Sequence, residues 1–347
     1  MVASEKSTQL PPFSSVIIPL YNDATYIERC LRSVLDQDYP PGHYEIIIVD
    51  GGSSDGSREL VDRAVVNDGR VRVFHNPKKI VSEALNLGLK EAKGQFIVRV
   101  DSHCVLEPDY VRQCVDALQA SGAANVGGPM RPVGSGLVGQ GLALALCNPF
   151  GIGNSRFHYV TKSPEYVDTV YLGAFRRDVF EKVGLFDPSL TRNQDDEFNY
   201  RLRLSGERVL LVPEIKSWYF CRNSLSAIWK QHFGYGFWKV FVIGKHRRLF
   251  AVRHIVPSLF VLAVALAALV GMWMHSWAGV YLVVIPYMIL NIAMSMRISS
   301  KKGWRFLIIL PAVFATMHSA YGIGFLAGAL SRGIRRNLDL QKSKRLH

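Results

Sequence analysis

The chain has 347 residues, of which 49% are hydrophobic and 20% charged, and its mean hydropathy is slightly positive. This composition excludes a disordered chain and is more apolar than that of an ordinary soluble enzyme. The net charge is +13, but residues 1–214 carry 23 Lys and Arg against 27 Asp and Glu, whereas residues 215–347 carry 18 against one. The basic excess accompanies the apolar C-terminal sequence, which predicts a membrane lipid partner and no nucleic acid.

Residues 15–101 alternate between short apolar runs and amphipathic segments. Strands are predicted at 15–19, 45–49, 70–74 and 95–100, and helices at 23–35, 57–66 and 81–92. The first helix is expected to be capped by Asn22 or Asp23. Continuous apolar strands that alternate with helices predict a mostly parallel α/β sheet with helices on both faces. Ligands of such sheets bind beyond the carboxyl ends of the strands, where Asp50 and Asp101 lie.

The next part of the chain is less regular. Helices are predicted at 108–120, 176–184 and 193–206, and strands at 167–175 and 209–212. The glycine-rich segment 121–170 fits no regular pattern over most of its length. Residues 221–239 are predicted to form a basic, aromatic and amphipathic helix at the membrane interface.

Three apolar runs follow, at 254–274, 278–296 and 304–330. The first two are long enough to span a bilayer, and the third is interrupted by Pro311, His318 and two glycines. The basic loop 297–305 is expected in the cytoplasm, and a third span would place the basic tail outside. We therefore favour two spans followed by a bent third element. Because the first 15 residues lack the pattern of a signal peptide, the N-terminal domain is expected in the cytoplasm.

The block SVIIPLYNDATYIERCLRSVLDQDYPPGHYEIIIVDGGSSDGS, residues 15–57, places Asp50 at a strand end before a glycine turn. A carboxylate there can accept hydrogen bonds from a base or a ribose hydroxyl, and the glycines let the backbone approach a ligand. Asp55 either does the same or caps the helix that begins near Ser57.

The five cysteines form no CxxC pair, which favours reduced thiols over disulfides or a zinc cluster.

Two further motifs contain candidate chemistry. Asp101, Ser102 and His103 follow the fourth strand, and alternate residues at a strand end point the same way. The motif NQDDEFNYR, residues 193–201, opens a helix with three adjacent acids. Clustered acids raise one another's pKa, which suits a general base, although acids at a helix start also interact favourably with the helix dipole.

These motifs, in this order, strongly resemble those of family 2 glycosyltransferases, which are inverting enzymes of the GT-A fold, over roughly residues 14–240. The resemblance implies a GT-A (nucleotide-diphospho-sugar transferase) domain followed by an α-helical membrane region. It also implies a nucleotide pocket formed by Pro19, Tyr21, Asn22, Asp50, Gly52, Ser53, Asp55, Asp101 and Ser102.

In this family a DxD motif holds a divalent metal on the diphosphate of the donor. The resemblance therefore implies that Asp101 and His103 hold Mn²⁺ or Mg²⁺, although histidine departs from the commonest pattern. A carboxylate oxygen with an imidazole suits Mn²⁺ better than Mg²⁺. The alternative is that His103 packs beside the site without binding the metal.

The family's ED-x-D-L-x-x-R helix start contains the general base. Counting back from Arg201 aligns that base with Asp195, and Asp196 is the close alternative. In the preceding strand, the resemblance implies that Gly173 and Ala174 leave room for the donor sugar and acceptor, with plain packing as the alternative. Contacts to the acceptor or the diphosphate are further expected from Arg222 and Gln231.

The pattern is most similar to the succinoglycan-biosynthesis glucosyltransferase group of bacterial exopolysaccharide assembly. This implies transfer of a hexose, which is glucose in that group, from a UDP-sugar to a polyprenyl-diphosphate-linked saccharide. The reaction is expected at the cytoplasmic face of the inner membrane. One alternative is a processive polysaccharide synthase, but residues 231–235 lack the QxxRW motif of those enzymes. Another is an inactive membrane scaffold, against which the three aspartates Asp50, Asp101 and Asp195 argue.

The expected organisation has five parts. They are a flexible N-terminus (1–13), the catalytic domain (14–220), an interface helix region (221–252), a multi-pass membrane region (253–330) and a basic tail (331–347).

Overall fold

The computed structural model describes residues 10–66, 68–246 and 252–345, with side chains to residue 333. Most of the predicted flexible N-terminus and the side chains of most of the basic tail lie outside this description. The chain forms two compact units. The first comprises the chain up to Met130 with Val160–Pro188 and Phe198–Trp218, and the second comprises Arg131–Tyr159, Ser189–Glu197 and the chain from Tyr219 onward.

The first unit is built on an eight-stranded sheet with the order β3-β2-β1-β4-β9-β6-β10-β8. Its strands are β1 Ser14–Leu20, β2 Tyr44–Asp50, β3 Val71–His75, β4 Phe96–Arg99, β6 Asn125–Gly127, β8 Glu165–Tyr166, β9 Ala174–Arg176 and β10 Val209–Leu211. Strands β1 to β4 pair in parallel, β6 pairs in parallel with β10, and β8 and β9 are antiparallel to their neighbours. A second sheet has the order β5-β11-β7, with β5 Cys104–Leu106, β7 Met130–Val133 and β11 Ser217–Phe220.

Helices cover both faces of the large sheet, as the continuous apolar strands predict. Along β1, Val16 and Ile18 pack into one hydrophobic core, whereas Ile17 faces the other core, because successive side chains of a strand point to opposite faces. The helices are α1 Ile27–Leu35, α2 Ser57–Ala64, α3 Val81–Glu91, α4 Tyr110–Ser121 and α7 Asp178–Val183. The predicted mostly parallel α/β fold is confirmed.

Two local predictions in this unit are wrong. The first helix begins at Ile27, not at residue 23, and neither Asn22 nor Asp23 caps it; Tyr26 occupies the N-cap position. The strand predicted at 167–175 is reduced to β9, because Leu172 and Gly173 have positive φ angles of 61° and 99° and break the extended backbone.

The glycine-rich segment that fits no pattern contains several short elements besides β6 to β8. They are α5 Gly136–Leu146, α6 Pro149–Ile152 and a 3₁₀ turn at Arg156–His158. Helix α8, Gln194–Leu204, begins in the second unit and continues into the first.

The second unit is dominated by long helices. They are α9 Leu225–Lys245, α10 Val252–Met274, α11 Ala278–Lys302 and α12 Leu310–Arg345. The segments Val252–Met274, Ala278–Lys302 and Leu310–Gly333 are each long and apolar enough to cross a membrane, with mean hydropathies of 2.5, 1.8 and 1.3. These three candidate spans indicate that the protein is anchored in a membrane.

The third apolar segment differs from the bent element favoured by the sequence. A 3₁₀ turn at Trp304–Ile308 leads into one continuous helix, α12. Pro311 lies in its first turn, where proline is tolerated. Gly322 lies within this continuous helix and permits a close contact with α10. A Cβ at Gly322 would lie 2.4 Å from the carbonyl oxygen of Pro257.

Candidate active site

The end of β2 is organised by the carboxylate of Asp50. This buried side chain accepts hydrogen bonds from the amides of Gly52 (3.1 Å) and Ser53 (3.2 Å) and from the Ser53 hydroxyl (2.6 Å). Gly52 has a φ of +76°, which favours glycine. Asp50 therefore holds the glycine turn in shape, in the place where the sequence predicts nucleotide binding.

The end of β1 is tied to the same turn. The amide of Asn22 donates to the Ser53 hydroxyl (3.0 Å), and the Ser54 amide donates to Asn22 Oδ1 (2.8 Å). Tyr21 leaves its ring 46% exposed, with Lys79 Nζ 5.6 Å from the ring centroid. An exposed aromatic ring at this edge is a suitable surface for a nucleobase.

Asp55 and Pro19 have structural contacts. The Asp55 carboxylate accepts hydrogen bonds from the Ala24 amide (2.9 Å) and from the Ser57 amide (3.1 Å) and hydroxyl, which fixes the start of α2. Desolvation raises the pKa of Asp55, but these hydrogen bonds lower the pKa by more, so the net shift is downward. Pro19 is buried within β1 beside Val49.

The residues after β4 have two different partners. The Asp101 carboxylate accepts hydrogen bonds from Arg99 Nε (3.1 Å) and Nη2 (2.9 Å). The Ser102 hydroxyl donates to the Asp23 carboxylate, and His103 Nδ1 lies 3.4 Å from Asp23 Oδ2. Asp23 thus joins the end of β1 to the candidate metal-binding residues, a role that its predicted position as a helix cap did not suggest.

The donor chemistry of Asp101 and His103 fits a divalent cation. One carboxylate and one imidazole are ligands that Mn²⁺ accepts, and a carboxylate behind a ligating histidine is a common supporting arrangement. Within the described residues no group of three His, Cys, Asp or Glu side chains is placed to hold a metal. A cation here would need further oxygen ligands, which a diphosphate offers.

Gly173 and Ala174 are closely packed within the first unit. A Cβ at Gly173 would lie 2.9 Å from Asn125 Oδ1, and Gly173 O accepts a hydrogen bond from the Arg99 amide (3.0 Å). Ala174 is buried and pairs with Val98 and Val126. These contacts are of the kind expected from plain packing, and a contact of this strand with the donor sugar or acceptor stays a prediction.

The three segments Tyr21–Asp23, Asp50–Asp55 and Asp101–His103 are therefore brought together and are called the strand-end cluster below. Nine residues were predicted to bind the nucleotide, and all of them except Pro19 and Tyr21 contribute polar groups to this cluster or its turns. Asp23, which was not predicted, does so as well. The signal of Asp23 in the sequence is an acid three residues after β1, at the same edge of the sheet as Asp50 and Asp101.

The other candidate catalytic residues lie in the second unit, where Asp195, Asp196 and Glu197 form the acid cluster at the start of α8. Asp195 Oδ1 accepts a hydrogen bond from the Asp196 amide (2.9 Å). The Asp196 carboxylate forms an ion pair with Lys239 of α9. Burial raises the pKa of Asp196, but the Lys239 ammonium more than offsets this, and the net shift is downward.

Glu197 is the most buried member of the acid cluster. Its side chain is inaccessible to solvent, and its Oε1 lies 2.8 Å from His246 Nε2 and 3.4 Å from Lys245 Nζ. An unpaired carboxylate in such a place would be costly, so these partners at the end of α9 are required for the observed packing.

Gln231 and Arg222 occupy the region of α9. Gln231 Nε2 donates to the hydroxyls of Tyr219 (2.8 Å) and Tyr235 (3.0 Å), so its amide is used within the protein. Arg222 precedes α9 and is half-buried. Neither geometry identifies a ligand, and their expected contacts stay predictions.

Comparison with known proteins agrees with this architecture. The profile described as "Glycosyl transferase family 2" matches residues 15–184. "Succinoglycan biosynthesis protein ExoA" of Rhizobium meliloti is 32% identical over 265 residues, which are 75% of this chain and 79% of that protein. A Methanococcus voltae protein, "Dolichyl N-acetyl-alpha-D-glucosaminyl phosphate 3-beta-D-2,3-diacetamido-2,3-dideoxy-beta-D-glucuronosyltransferase", is 27% identical over 92% of this chain and 97% of its own length.

Among solved structures, "Mannosyltransferase PcManGT from Pyrobaculum calidifontis in complex with GDP-Man and Mn2+" has a TM-score of 0.56 at 20% identity, covering 90% of this chain and 87% of that one. This likeness supports the GT-A fold. The family profile and the extent of the match to ExoA show that the chain is a glycosyltransferase and belongs to family 2.

Proposed function

We propose that this enzyme transfers a hexose, glucose, from a UDP-sugar to a polyprenyl-diphosphate-linked saccharide during exopolysaccharide synthesis. The observation that carries the proposal is the strand-end cluster, which gathers polar groups from three strand ends at the edge where α/β sheets bind ligands. The similarity to a succinoglycan biosynthesis protein supports the choice of exopolysaccharide synthesis. The complex of the Pyrobaculum mannosyltransferase supports a nucleotide-sugar donor.

In this proposal the strand-end cluster binds the nucleotide. The exposed side chain of Tyr21 stacks on the base, and the carboxylate of Asp50, which holds the glycine turn, accepts a further hydrogen bond from the base or from a ribose hydroxyl. Asp101 and His103 hold Mn²⁺ or Mg²⁺, and Asp23 orients the imidazole. The metal, when bound, neutralises charge on the diphosphate leaving group.

Asp195 is the proposed general base. Asp196 is adjacent but is already paired with Lys239, whose ammonium favours the ionised carboxylate and makes it a weaker proton acceptor. Asp195 accepts the proton of the acceptor hydroxyl, and the oxygen attacks the anomeric carbon from the face opposite the nucleotide. The new glycosidic bond forms as the bond from the anomeric carbon to the UDP oxygen breaks, and UDP leaves with that electron pair.

The membrane helices support the choice of a lipid-linked acceptor. Apolar side chains of α10 and α11 such as Leu269 and Leu282 are more than half exposed, as lipid-facing residues are. We place the enzyme in the inner membrane with its catalytic domain in the cytoplasm. We also keep the division into a catalytic domain (14–220), an interface region (221–252) and a membrane region (253–330) as part of the proposal.

The test uses membranes that contain the full-length enzyme, a panel of UDP- and GDP-sugars, lipid-linked acceptors, and Mn²⁺ or EDTA. We expect turnover with UDP-glucose that requires metal. Asp195→Asn should lower kcat by about 10³-fold while UDP still binds, because it removes a general base. An active Asp195→Asn variant would contradict the base assignment. Turnover of no donor would favour the inactive scaffold, and long polymer from one acceptor would favour a processive synthase.

A further inference from the structure

The segment before the acid cluster is tied to α9. Asn193 Nδ2 donates to the carbonyl oxygen of Tyr235 (3.0 Å), and the Arg192 guanidinium lies 5.5 Å from the centroid of the Tyr235 ring. These contacts join residues 192 and 193 to the middle of α9. They are followed directly by the ion pairs that Asp196 and Glu197 form with the same helix.

The ion pairs span two turns of α9. Lys239 holds Asp196, and Lys245 and His246, at the C-terminal end of the helix, hold the buried Glu197. Two points of attachment six or more residues apart fix both the position and the rotation of the acid cluster along α9. Asp195 directly precedes these two anchored residues, so the position of its backbone is set by theirs.

Helix α9 is in turn packed closely on the candidate span α12. A Cβ at Gly236 would lie 2.1 Å from the carbonyl oxygen of Tyr321, and one at Gly324 would lie 2.1 Å from that of Phe233. Such contacts bring the two backbones together, as small residues do between helices in membranes. The place of α9 is therefore determined by a helix of the membrane region.

We propose that α9 is the positioning element of the catalytic base, with Lys239 and Glu197 as positioning residues that act through Asp195. The inference rests on the proposed function, because it takes Asp195 as the base. Lys239 neutralises the charge of the neighbouring Asp196, and the contacts of Glu197 with Lys245 and His246 fix the start of α8. The place of the Asp195 carboxylate is thus set, through its two neighbours, by α9 and α12.

Several charged or titratable groups act on the Asp196 side of the cluster. Lys239 is on α9, Arg253 and His254 are on α10, Tyr321 is on α12, and His158 lies in the 3₁₀ turn. Burial lowers the pKa of His158 to about 3, so this imidazole is neutral near pH 7. Of these groups, Lys239 forms an ion pair with the Asp196 carboxylate.

The test compares Lys239→Met, Lys239→Arg, Asp196→Asn and the double variant Lys239→Met/Asp196→Asn in membranes. The readouts are the pH profile of kcat/KM and the Kd for UDP, which reports whether the nucleotide-binding unit is intact. Lys301→Met is the matched control, because it removes an exposed cation of α11 without a described ion pair.

We expect the two single neutralisations to shift the profile in opposite directions. Lys239→Met removes a positive charge near Asp195, so the acid limb moves to higher pH, with a loss of about tenfold in kcat/KM at pH 6. Asp196→Asn leaves the ammonium uncompensated, so the acid limb moves to lower pH. The double variant and Lys239→Arg should return close to the wild-type profile, and Lys301→Met should not move it.

Two outcomes would overturn the positioning role in an active enzyme. They are an unchanged pH profile in Lys239→Met, and a double variant as impaired as Lys239→Met with intact UDP binding. Loss of all turnover in Asp196→Asn, with UDP still bound, would instead make Asp196 the base. That result would contradict the proposed function and the inference with it.

Discussion

The strand-end cluster and the acid cluster both contain aspartates at the end of a secondary structure element, but their carboxylates are satisfied in different ways. Asp50 is held by amides and a hydroxyl within three residues of itself, and Asp101 by an arginine two residues away. Asp196 and Glu197 depend on basic side chains that follow more than forty residues later. The carboxylates of Asp50 and Asp101 are therefore satisfied by their own local sequence, whereas those of Asp196 and Glu197 depend on long-range packing.

The largest effect on binding is expected when Asp50 of the strand-end cluster is replaced. Asp50→Ala removes the acceptor of three hydrogen bonds, each worth about 1 kcal/mol, so UDP affinity should fall about 100-fold. Titration calorimetry with UDP measures this. Asp62→Ala, which loses an exposed pair with Arg58 on α2, is the control. Equal UDP affinity in both variants would show that the turn does not bind the nucleotide.

A smaller effect is expected at the residue that joins β1 to the candidate metal site. Asp23→Asn removes the charge beside His103, so Mn²⁺ affinity in the presence of UDP should fall about tenfold. Electron paramagnetic resonance of free Mn²⁺ measures this binding without turnover. An unchanged Mn²⁺ affinity would mean that His103 packs beside the site and does not ligate the metal.

The acid cluster can be disturbed from a distance. Gly324→Ala places a Cβ against the Phe233 carbonyl, which forces α9 and α12 apart, so kcat should fall roughly fivefold with UDP affinity unchanged. Gly333→Ala, on the same helix with open space around it, is the matched control. If both variants behave alike, the close contact between the helices does not act on catalysis.

The smallest functional effect is expected at the opposite end of β2. Burial raises the pKa of Glu45, but hydrogen bonds from Ser15, Lys93 and Arg72 lower it, and the net shift is downward. The ionised Glu45 therefore stabilises the fold above its ordinary pKa of 4.5, and this contribution is lost as the pH falls below that value. Glu45→Gln should lower the free energy of unfolding by about 2 kcal/mol at pH 7.

Denaturation at pH 7 and at pH 4 measures the contribution of Glu45, and the difference from the wild type should shrink at the lower pH. UDP affinity should not change while the variant is folded. A loss of UDP binding in the folded variant would show that the two ends of β2 are not independent.

Sequence periodicity predicted the first four strands and their helices well, because both faces of this sheet are buried and its strands read as apolar runs. It failed at 167–175, where Leu172 and Gly173 adopt positive φ angles that hydrophobicity does not encode. The position of Asp50 and Asp101 at the ends of strands was predicted from the same apolar runs. The partners of Asp196 and Glu197 were not, since a basic amphipathic pattern on α9 does not specify which acids its cations meet.

The path of the chain has a practical consequence for studying the enzyme. The backbone passes between the two units five times, and residues 189–197, which include the proposed base, return to the second unit before α8 continues into the first. A shortened protein that ends near residue 220 would retain every residue of the strand-end cluster. It would lose Lys239, the partner of Asp196, and Lys245 and His246, the partners of Glu197. We expect the proposed catalysis, in contrast to the proposed nucleotide binding, to require the helices that follow residue 220.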